Sequence, residues 1–434
     1  MSVAEAPDHA ARGPLAGLRV LEVAHVMAGP YCGMQLADFG ADVVKVEKLP
    51  DGDDLRRSVP PRFHGEPATF LAVNRNKRGI ALDLKSPAGR DVFLALAEKA
   101  DVVIENMRPG AMDKLGLAYE SLRARNPGLI YAAISGFGRT GPYAERGGFD
   151  LVAQAMSGLM SLTGPAEGEP APTKVGVPIC DLNAGMFLAL GILAAYVHRL
   201  RTGQGQMVDT SLFEAGIAYT PWESAIYWAE GEVPRPFGSA HRISAPYQAY
   251  RAADGWFVLG AANQRNWEKL CRALGRPELA GDPGFLDNAR RQRNLPALNL
   301  ALQASFEKRP IAHWLALLDE AGVPAGPIQN MAELWADPQV AARGMRQMVE
   351  HPKAGQVPAI GVPVKLSATP GAVRHAAPML GQHTAAVLIE AGFDPAEIRR
   401  LHNSGAIYDA DHGPIGALGT AAEGRQAGPP AESA

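Results

Sequence analysis

"LRVLEVAHVMAGPYCGMQLADFGADVVKVEK", Leu18 to Lys48, is the stretch that decides the fold. Leu18 to Val23 is a largely apolar run of strand length, and Asp42 to Glu47 is a second. Between them Gly29-Pro30 opens a helix, because proline in a first helical turn forfeits no intrahelical hydrogen bond. The alternation continues in "RGIALDLKSPAGRDVFLALAEKADVVIENMRPGAMDKLGL", with strands at Ile80 to Leu84 and Val102 to Glu105 around an amphipathic helix. A further unit ends in "LIYAAISGFG". Strands alternating with helices of this length imply right-handed βαβ units, an α/β fold with a mostly parallel sheet, and functional groups at the C-terminal ends of the strands.

Working outward, the Pro-rich "PRPFGSAHRISAPYQAYRAADGWFVLG" breaks this rhythm and reads as the entry to a second, smaller unit. The expected organisation is a large domain over 15–220, a small domain over 221–330, a C-terminal segment over 331–411 returning to the large domain, and a mobile tail over 412–434. That tail is rich in Gly, Ala and Pro, too poor in apolar surface to offset its ordering entropy. Leu188 to Val197 is apolar but about half the ~20 residues of a bilayer span, so a buried helix is expected there.

The composition excludes several classes. At 434 residues, 47% of them hydrophobic, the chain can bury a large core and divide into domains. The net charge of −3 and the lack of a long Lys/Arg block speak against nucleic acid. Cys32, Cys180 and Cys271 are odd in number and far apart, which indicates neither a disulfide framework nor a metal site and fits a reducing cytoplasm. The N-terminal residues show no basic stretch followed by an apolar one, so no secretory signal is expected.

Neither GxGxxG nor GxxxxGK[ST] occurs, and no GxSxG. "HVMAGPYCG" could bring backbone N–H groups at a helix start to an anion, although a plain strand-to-helix turn explains it as well. Lys48, Lys77, Arg78, Lys85, Arg108 and Lys114 recur at strand ends and the turns after them. Each alone suits a solvated surface, and together they favour a ligand with several phosphates. Asp181, in "KVGVPICDLNAGM", is either an N-cap worth ~1 kcal/mol or a reactive carboxylate. A second acidic residue, Asp150 in "GGFDLVAQ", tilts the balance to function, because paired carboxylates separate in pKa and divide roles.

These residues resemble a known family. "VLEVAHVMAGPYCGMQLADFGADVVKVEK", "NKRGIALDLKSPAGRDVF", "ADVVIENMRPGAMDKLGL", "ISGFGRTGPYAERGGFDLVAQAMSGLMSLTG", "VGVPICDLNAGM" and "APMLGQHTAAVLIEAGF" are similar, in this order from about Leu15 to Ile407, to the class III coenzyme A transferases of the CaiB/BaiF type. The resemblance implies a large Rossmann-like domain built from both ends of the chain, a smaller inserted α+β domain, and an interlocked homodimer. It implies transfer of CoA between carboxylic acids, with coenzyme A as substrate and no cofactor or metal. Asp181 matches the family's nucleophile and Asp150 its second active-site carboxylate. The CoA-contacting positions fall on Met27, Ala28, Lys48, Leu82, Asp83, Leu84, Lys85, Asn106, Met107, Arg108, Lys114, Gly147, Gly148 and Phe149. In the loop Gly238 to Pro246, Ser239, His241 and Arg242 are expected to meet the substrate acid. That loop lacks the glycine run of oxalate transferases, and Met27 stands where many members carry Gln.

The same fold hosts α-methylacyl-CoA racemases, which are similar at the aspartate but keep a His immediately before the position of Asp150. Here that residue is Phe149, and loss of one base is commonly worth ~10²- to 10⁴-fold. The expectation is therefore a transferase moving CoA from an acyl-CoA, succinyl-CoA foremost, to a small carboxylic or dicarboxylic acid. Asp181 should be ionised at pH 7 and shielded by Val177, Ile179 and Cys180, with small residues at Ala184 and Gly185 leaving room for pantetheine. Backbone donors for the attacked carbonyl would come from the Ala28-Gly29 turn or the loop around Ser239. A non-catalytic CoA-binding protein and a dinucleotide-dependent dehydrogenase are the alternatives from other classes.

Overall fold

The computed structural model of the chain describes residues 13–57, 61–166 and 171–410, so the expected tail at 412–434 lies outside the described residues. These residues divide into two compact units, one formed by 13–157, 176–221 and 341–410, the other by 158–175 and 222–340.

The first unit is organised by one sheet: β1 (Arg19–Val23), β2 (Asp42–Lys48), β3 (Lys77–Leu82), β4 (Val102–Glu105), β5 (Ile130–Ser135), β6 (Met207–Ser211) and β7 (Ile407–Tyr408). Their order is β7-β3-β2-β1-β4-β5-β6. Every neighbouring pair is parallel except β7 with β3, where the returning chain adds an antiparallel edge. The strand order reverses between β1 and β4, and the crevice beyond the carboxyl ends of those two strands is where ligands bind in such sheets.

Five helices carry the argument: α1 (Ala28–Asp38), α2 (Pro87–Lys99), α3 (Asp150–Met156), α4 (Ile179–Thr202) and α5 (Leu212–Ile217). α2 starts at Pro87, with the Ser86 hydroxyl accepting the Gly89 N–H at 3.0 Å. Its inner face, Val92, Phe93, Leu96 and Ala97, packs with Leu21, Val46, Ile80 and Val103 of the sheet in one core. Burial of each large apolar side chain contributes roughly 1.5–3 kcal/mol.

Three expectations change. The strand expected at Ile80 to Leu84 runs from Lys77 to Leu82, because two charged residues begin it. Lys77 is fully buried and ion-paired with Glu22 at 2.8 Å, and Arg78 pairs with Asp42 and Glu390. Both therefore sit at the start of β3, away from the carboxyl end, and neither is free for a phosphate. Leu188 to Val197 belongs to the 24-residue α4, which is buried on one side only. Cys180, Ala184, Leu188, Ile192 and Ala195 face the core at helical spacing, while Met186, Leu190, Val197 and Leu200 are exposed. By length and composition α4 is the one helix among the described residues that could span a membrane, but its inner face is buried within the first unit.

The second unit packs Gln264–Ala273, Leu295–Phe306 and Ile311–Ala321 with a three-stranded antiparallel sheet, Tyr247–Arg251, Trp256–Gly260 and Ala325–Pro327. Its own core contains Tyr250, Phe257, Trp267, Phe306 and Trp314. The whole is mixed α/β, with the large sheet mostly parallel.

Candidate active site

At the switch point the turn after β1 meets the turn after β4. The Asn106 side chain accepts the His25 N–H and donates to the His25 carbonyl, both at 2.8 Å, so the two turns are locked edge to edge. Around them lies a cavity of about 340 Å³, all within the first unit. Met27, Ala28, Asn106, Met107, Arg108, Gly147, Gly148, Phe149, Asp150 and Asp181 line it, together with His25 and Arg146. Chain pieces more than 150 residues apart in sequence thus converge on the spot that topology designates.

Local packing explains how the carboxylates arrive there. A Cβ on Gly136, just after β5, would lie 2.7 Å from the Gly148 Cα, so the two backbones touch and aim Phe149-Asp150 at the cavity. Likewise a Cβ on Gly185 would come within 2.7 Å of the Ala28 carbonyl; its absence lets α4 lie against the start of α1, which brings Asp181 beside Ala28. The Asn183 amide fixes the same turn by donating to the Ala215 carbonyl at 2.7 Å.

The two carboxylates have different environments. Asp150 accepts the Cys180 N–H at 2.9 Å on one oxygen and the amide of the buried Gln154 at 2.7 Å on the other. Asp150, not Asp181, thereby caps α4. The sequence suggested Asp181 as N-cap, but the helix begins at Ile179 with Pro178 in that position. Asp181 falls in its first turn and makes no cap bond. Burial, and secondly the negative charge of Asp150, push the Asp181 carboxyl up to about 7. The sequence suggested full ionisation at pH 7, whereas burial holds this carboxyl well above the usual carboxylate range. Burial first, then the two carboxylates, raise the neighbouring Cys180 thiol to about 12, which keeps it uncharged. Of the expected apolar shield, Cys180 is buried, Ile179 half-buried and Val177 exposed, and the small residues Ala184 and Gly185 are buried.

The remaining sequence-based candidates divide. Arg108 lines the cavity, is exposed and has no ion pair among the described residues. Lys48, Leu82, Asp83, Leu84, Lys85 and Lys114 do not line it. Lys48 pairs with Asp54 at 2.6 Å, Leu82 is buried in the core, and Lys85 and Lys114 are exposed. In the second unit Ser239 and His241 line a separate cavity of about 1070 Å³, with His241 between the rings of Trp222 and Tyr247. Arg242 is engaged elsewhere, donating to the Arg235 carbonyl and stacking on Phe237.

Among the lining residues that escaped sequence reasoning, two carry titratable side chains, His25 and Arg146. His25 stands in "AHVMAGP"; burial first, then Lys45, lower its pKa, and its Nδ1 is buried without a hydrogen-bond partner. An imidazole therefore lines the cavity although none lies near Asp150 in the sequence. Arg146, in "AERGGFD", stacks on Tyr143 with its guanidinium 4.0 Å from the ring centre. Its place just before Gly147 was the available signal.

A doubly wound α/β unit with an unbonded carboxylate and two arginines at its switch-point cavity suits an acyl-transfer enzyme handling an anionic carrier. Comparison with known proteins agrees. The pattern of CoA-transferase family III matches residues 15–384. A protein of Mus musculus described as a succinyl-CoA:glutarate CoA-transferase is 38% identical over 395 residues, covering 91% of this chain and 90% of its own. A succinyl-CoA:mesaconate CoA-transferase of Haloarcula hispanica is 42% identical over 397 residues, covering 88% and 97%. The crystal structure of a CaiB/BaiF family protein from Brucella suis superposes with a TM-score of 0.78 at 41% identity, covering 88% of this chain and 100% of that one. The chain belongs to CoA-transferase family III and is a CoA-transferase, which removes the dehydrogenase and non-catalytic alternatives.

Proposed function

We propose that this enzyme moves CoA from succinyl-CoA to a small dicarboxylic acid by way of a thioester on Asp181. The observation that carries the reading is the unlike environment of the two carboxylates: Asp150 is tied by two hydrogen bonds, while Asp181 faces the cavity with none. Only the second is free to attack. The succinyl donor and dicarboxylate acceptor are supported by the names of the mouse and Haloarcula relatives.

In the first step the Asp181 carboxylate attacks the thioester carbonyl, forming a mixed anhydride and expelling CoA thiolate. The thiolate then attacks the aspartyl carbonyl of the anhydride, releasing succinate and leaving aspartyl-CoA. The acceptor carboxylate attacks that thioester, giving a second anhydride and thiolate. Attack of the thiolate on the acceptor's acyl carbonyl yields the new acyl-CoA and restores Asp181. Acyl energy is conserved throughout, provided water stays out. Charge on each attacked carbonyl is met by the N–H groups of Ala28 and Gly29, which have no partner within α1 because they open it, and no side chain caps that helix. Arg108 and Arg146 are the cavity's cations for CoA phosphates. Coenzyme A acts as substrate. The assembly we propose is the interlocked homodimer of the resemblance, supported by the exposed apolar side of α4, in a reducing cytoplasm suited to three free buried cysteines.

Racemisation is disfavoured by Phe149, exposed at the cavity and without a titratable group. The test is an assay of purified protein with succinyl-CoA and a panel including glutarate, mesaconate and oxalate. A new acyl-CoA should appear as succinyl-CoA disappears, and Asp181→Ala should abolish it. Hydrolysis alone, or full activity of the variant, refutes the proposal.

A further inference from the structure

The turn that presents Ala28 and Gly29 has an unusual backbone. Val26 has φ of 65°, in the left-handed region that β-branched residues avoid. Such a conformation persists only where the surroundings impose it, and it clusters at functional sites. Two side chains hold the turn here: Asn106 clasps the preceding residue, His25, and one carboxylate takes the Val26 N–H itself. The Val26 N–H lies 3.2 Å from both oxygens of Asp53, a residue fully buried and 27 positions away in sequence.

Asp53 is itself fixed from below. Lys45 of β2 bridges Asp53 at 2.9 Å and Glu22 of β1 at 3.2 Å, and Lys77 of β3 closes on Glu22 at 2.8 Å. All four side chains are completely excluded from solvent. Burial alone would raise the Asp53 carboxyl, but Lys45 and the Leu55 N–H outweigh it and bring it to about 2. The acceptor is ionised at every working pH. An alternating row of charges thus crosses three adjacent strands and ends on one N–H of the turn that lines the cavity. Structural ion pairs need no such ending on a strained residue.

We propose that Asp53 is a positioning residue, holding Val26 in the left-handed conformation so that the first-turn N–H groups of Ala28 and Gly29 meet the carbonyl attacked beside Asp181. This rests on the reading of Asp181 as nucleophile. It predicts a role in the chemical step, since the alignment matters where charge develops and little where the substrate merely rests.

The experiment is a double-mutant cycle on the full-length enzyme with succinyl-CoA. Glycine adopts φ of 65° freely, so Val26→Gly removes the need for the restraint. Asp53→Asn in the Val26 background should lower kcat about 10- to 100-fold, the scale set by releasing a strained backbone, with KM for succinyl-CoA changed less than about 3-fold. In the Val26→Gly background the same change should cost less than about 3-fold. Equal losses in both backgrounds, or a loss in KM alone, overturn the proposal. If Asp53→Asn does not fold, Asp53→Glu keeps the charge for Lys45 while displacing the oxygens from Val26, and the same cycle applies. Failure here is separable from failure of the nucleophile: an active Asp181→Ala enzyme refutes the latter, whereas an inactive one with an additive cycle refutes only the role of Asp53.

Discussion

An attacking carboxylate kept half-buried and without a hydrogen bond has a stability cost, and Asp181→Asn should expose it. The Asp181 carboxyl titrates at about 7 in the folded protein against an ordinary 3.8. The unfolded chain therefore releases this proton near pH 4 and the folded chain near pH 7, so stability falls as pH rises across that window and the full cost is felt above 7. Roughly 3 pH units correspond to about 4 kcal/mol as an upper bound. The side chain opens on the cavity, so solvent screening reduces this, and about 1–3 kcal/mol is the expected size. Asparagine has the same shape and no charge. At pH 8 the variant should unfold above the native enzyme by several degrees, taking about 2–4 °C per kcal/mol for a large domain. At pH 5.5, midway between the unfolded and folded values, the difference should shrink to about half. Thermal unfolding without CoA, read by intrinsic fluorescence at both pH values, makes the comparison. A stabilisation identical at pH 5.5 and pH 8, or a destabilised variant at pH 8, would refute the electrostatic account of the site.

Three other outcomes are expected. The rate at low succinyl-CoA should rise with pH through about 7 as Asp181 ionises, and Asp150→Asn, which removes the second cause of the raised value, should move that midpoint downward; an upward move contradicts the assigned cause. Arg108→Ala should raise KM for succinyl-CoA about 10-fold or more with kcat nearly unchanged, as for binding shared by ground and transition states; a defect in kcat alone would count against Arg108 as a CoA contact. Incubation of a 2-methylacyl-CoA in D₂O should leave its α-proton in place, by mass spectrometry, while CoA transfer proceeds; rapid deuterium uptake would recruit His25 and Asp181 as a pair of bases.

How much of this was legible in the sequence follows from which forces leave a local trace. Strand–helix alternation from Leu18 to Ser135 is a periodic signal; it marked β1, β2 and β4 nearly to the residue and placed β5 within "LIYAAISGFG". β3 was misplaced because Lys77 and Arg78 look like surface charges until Glu22, Asp42 and Glu390 are placed beside them. Asp181 and Asp150 were singled out in the sequence and both line the cavity, but the hydrogen bonds that make their environments differ were not legible there. That Asp150 takes the Cys180 N–H depends on backbone contact at Gly136 and Gly148, which no spacing rule encodes. His25 was overlooked for the same reason: it reaches the cavity only because Asn106, 81 residues on, clasps its backbone. The charge row from Lys77 to Asp53 was invisible, since alternating Glu and Lys in strands normally marks a solvated face.

The central claim is that CoA is carried on Asp181. It is tested most directly by mixing the enzyme with succinyl-CoA in the absence of acceptor, quenching in acid, and measuring the intact mass, followed by peptide mapping. The account predicts an adduct of CoA less one water, located on the peptide containing Asp181, released by hydroxylamine and discharged by an acceptor acid at a rate no slower than turnover. An adduct on another residue, or transfer at full rate through an enzyme that never carries CoA covalently, would contradict it.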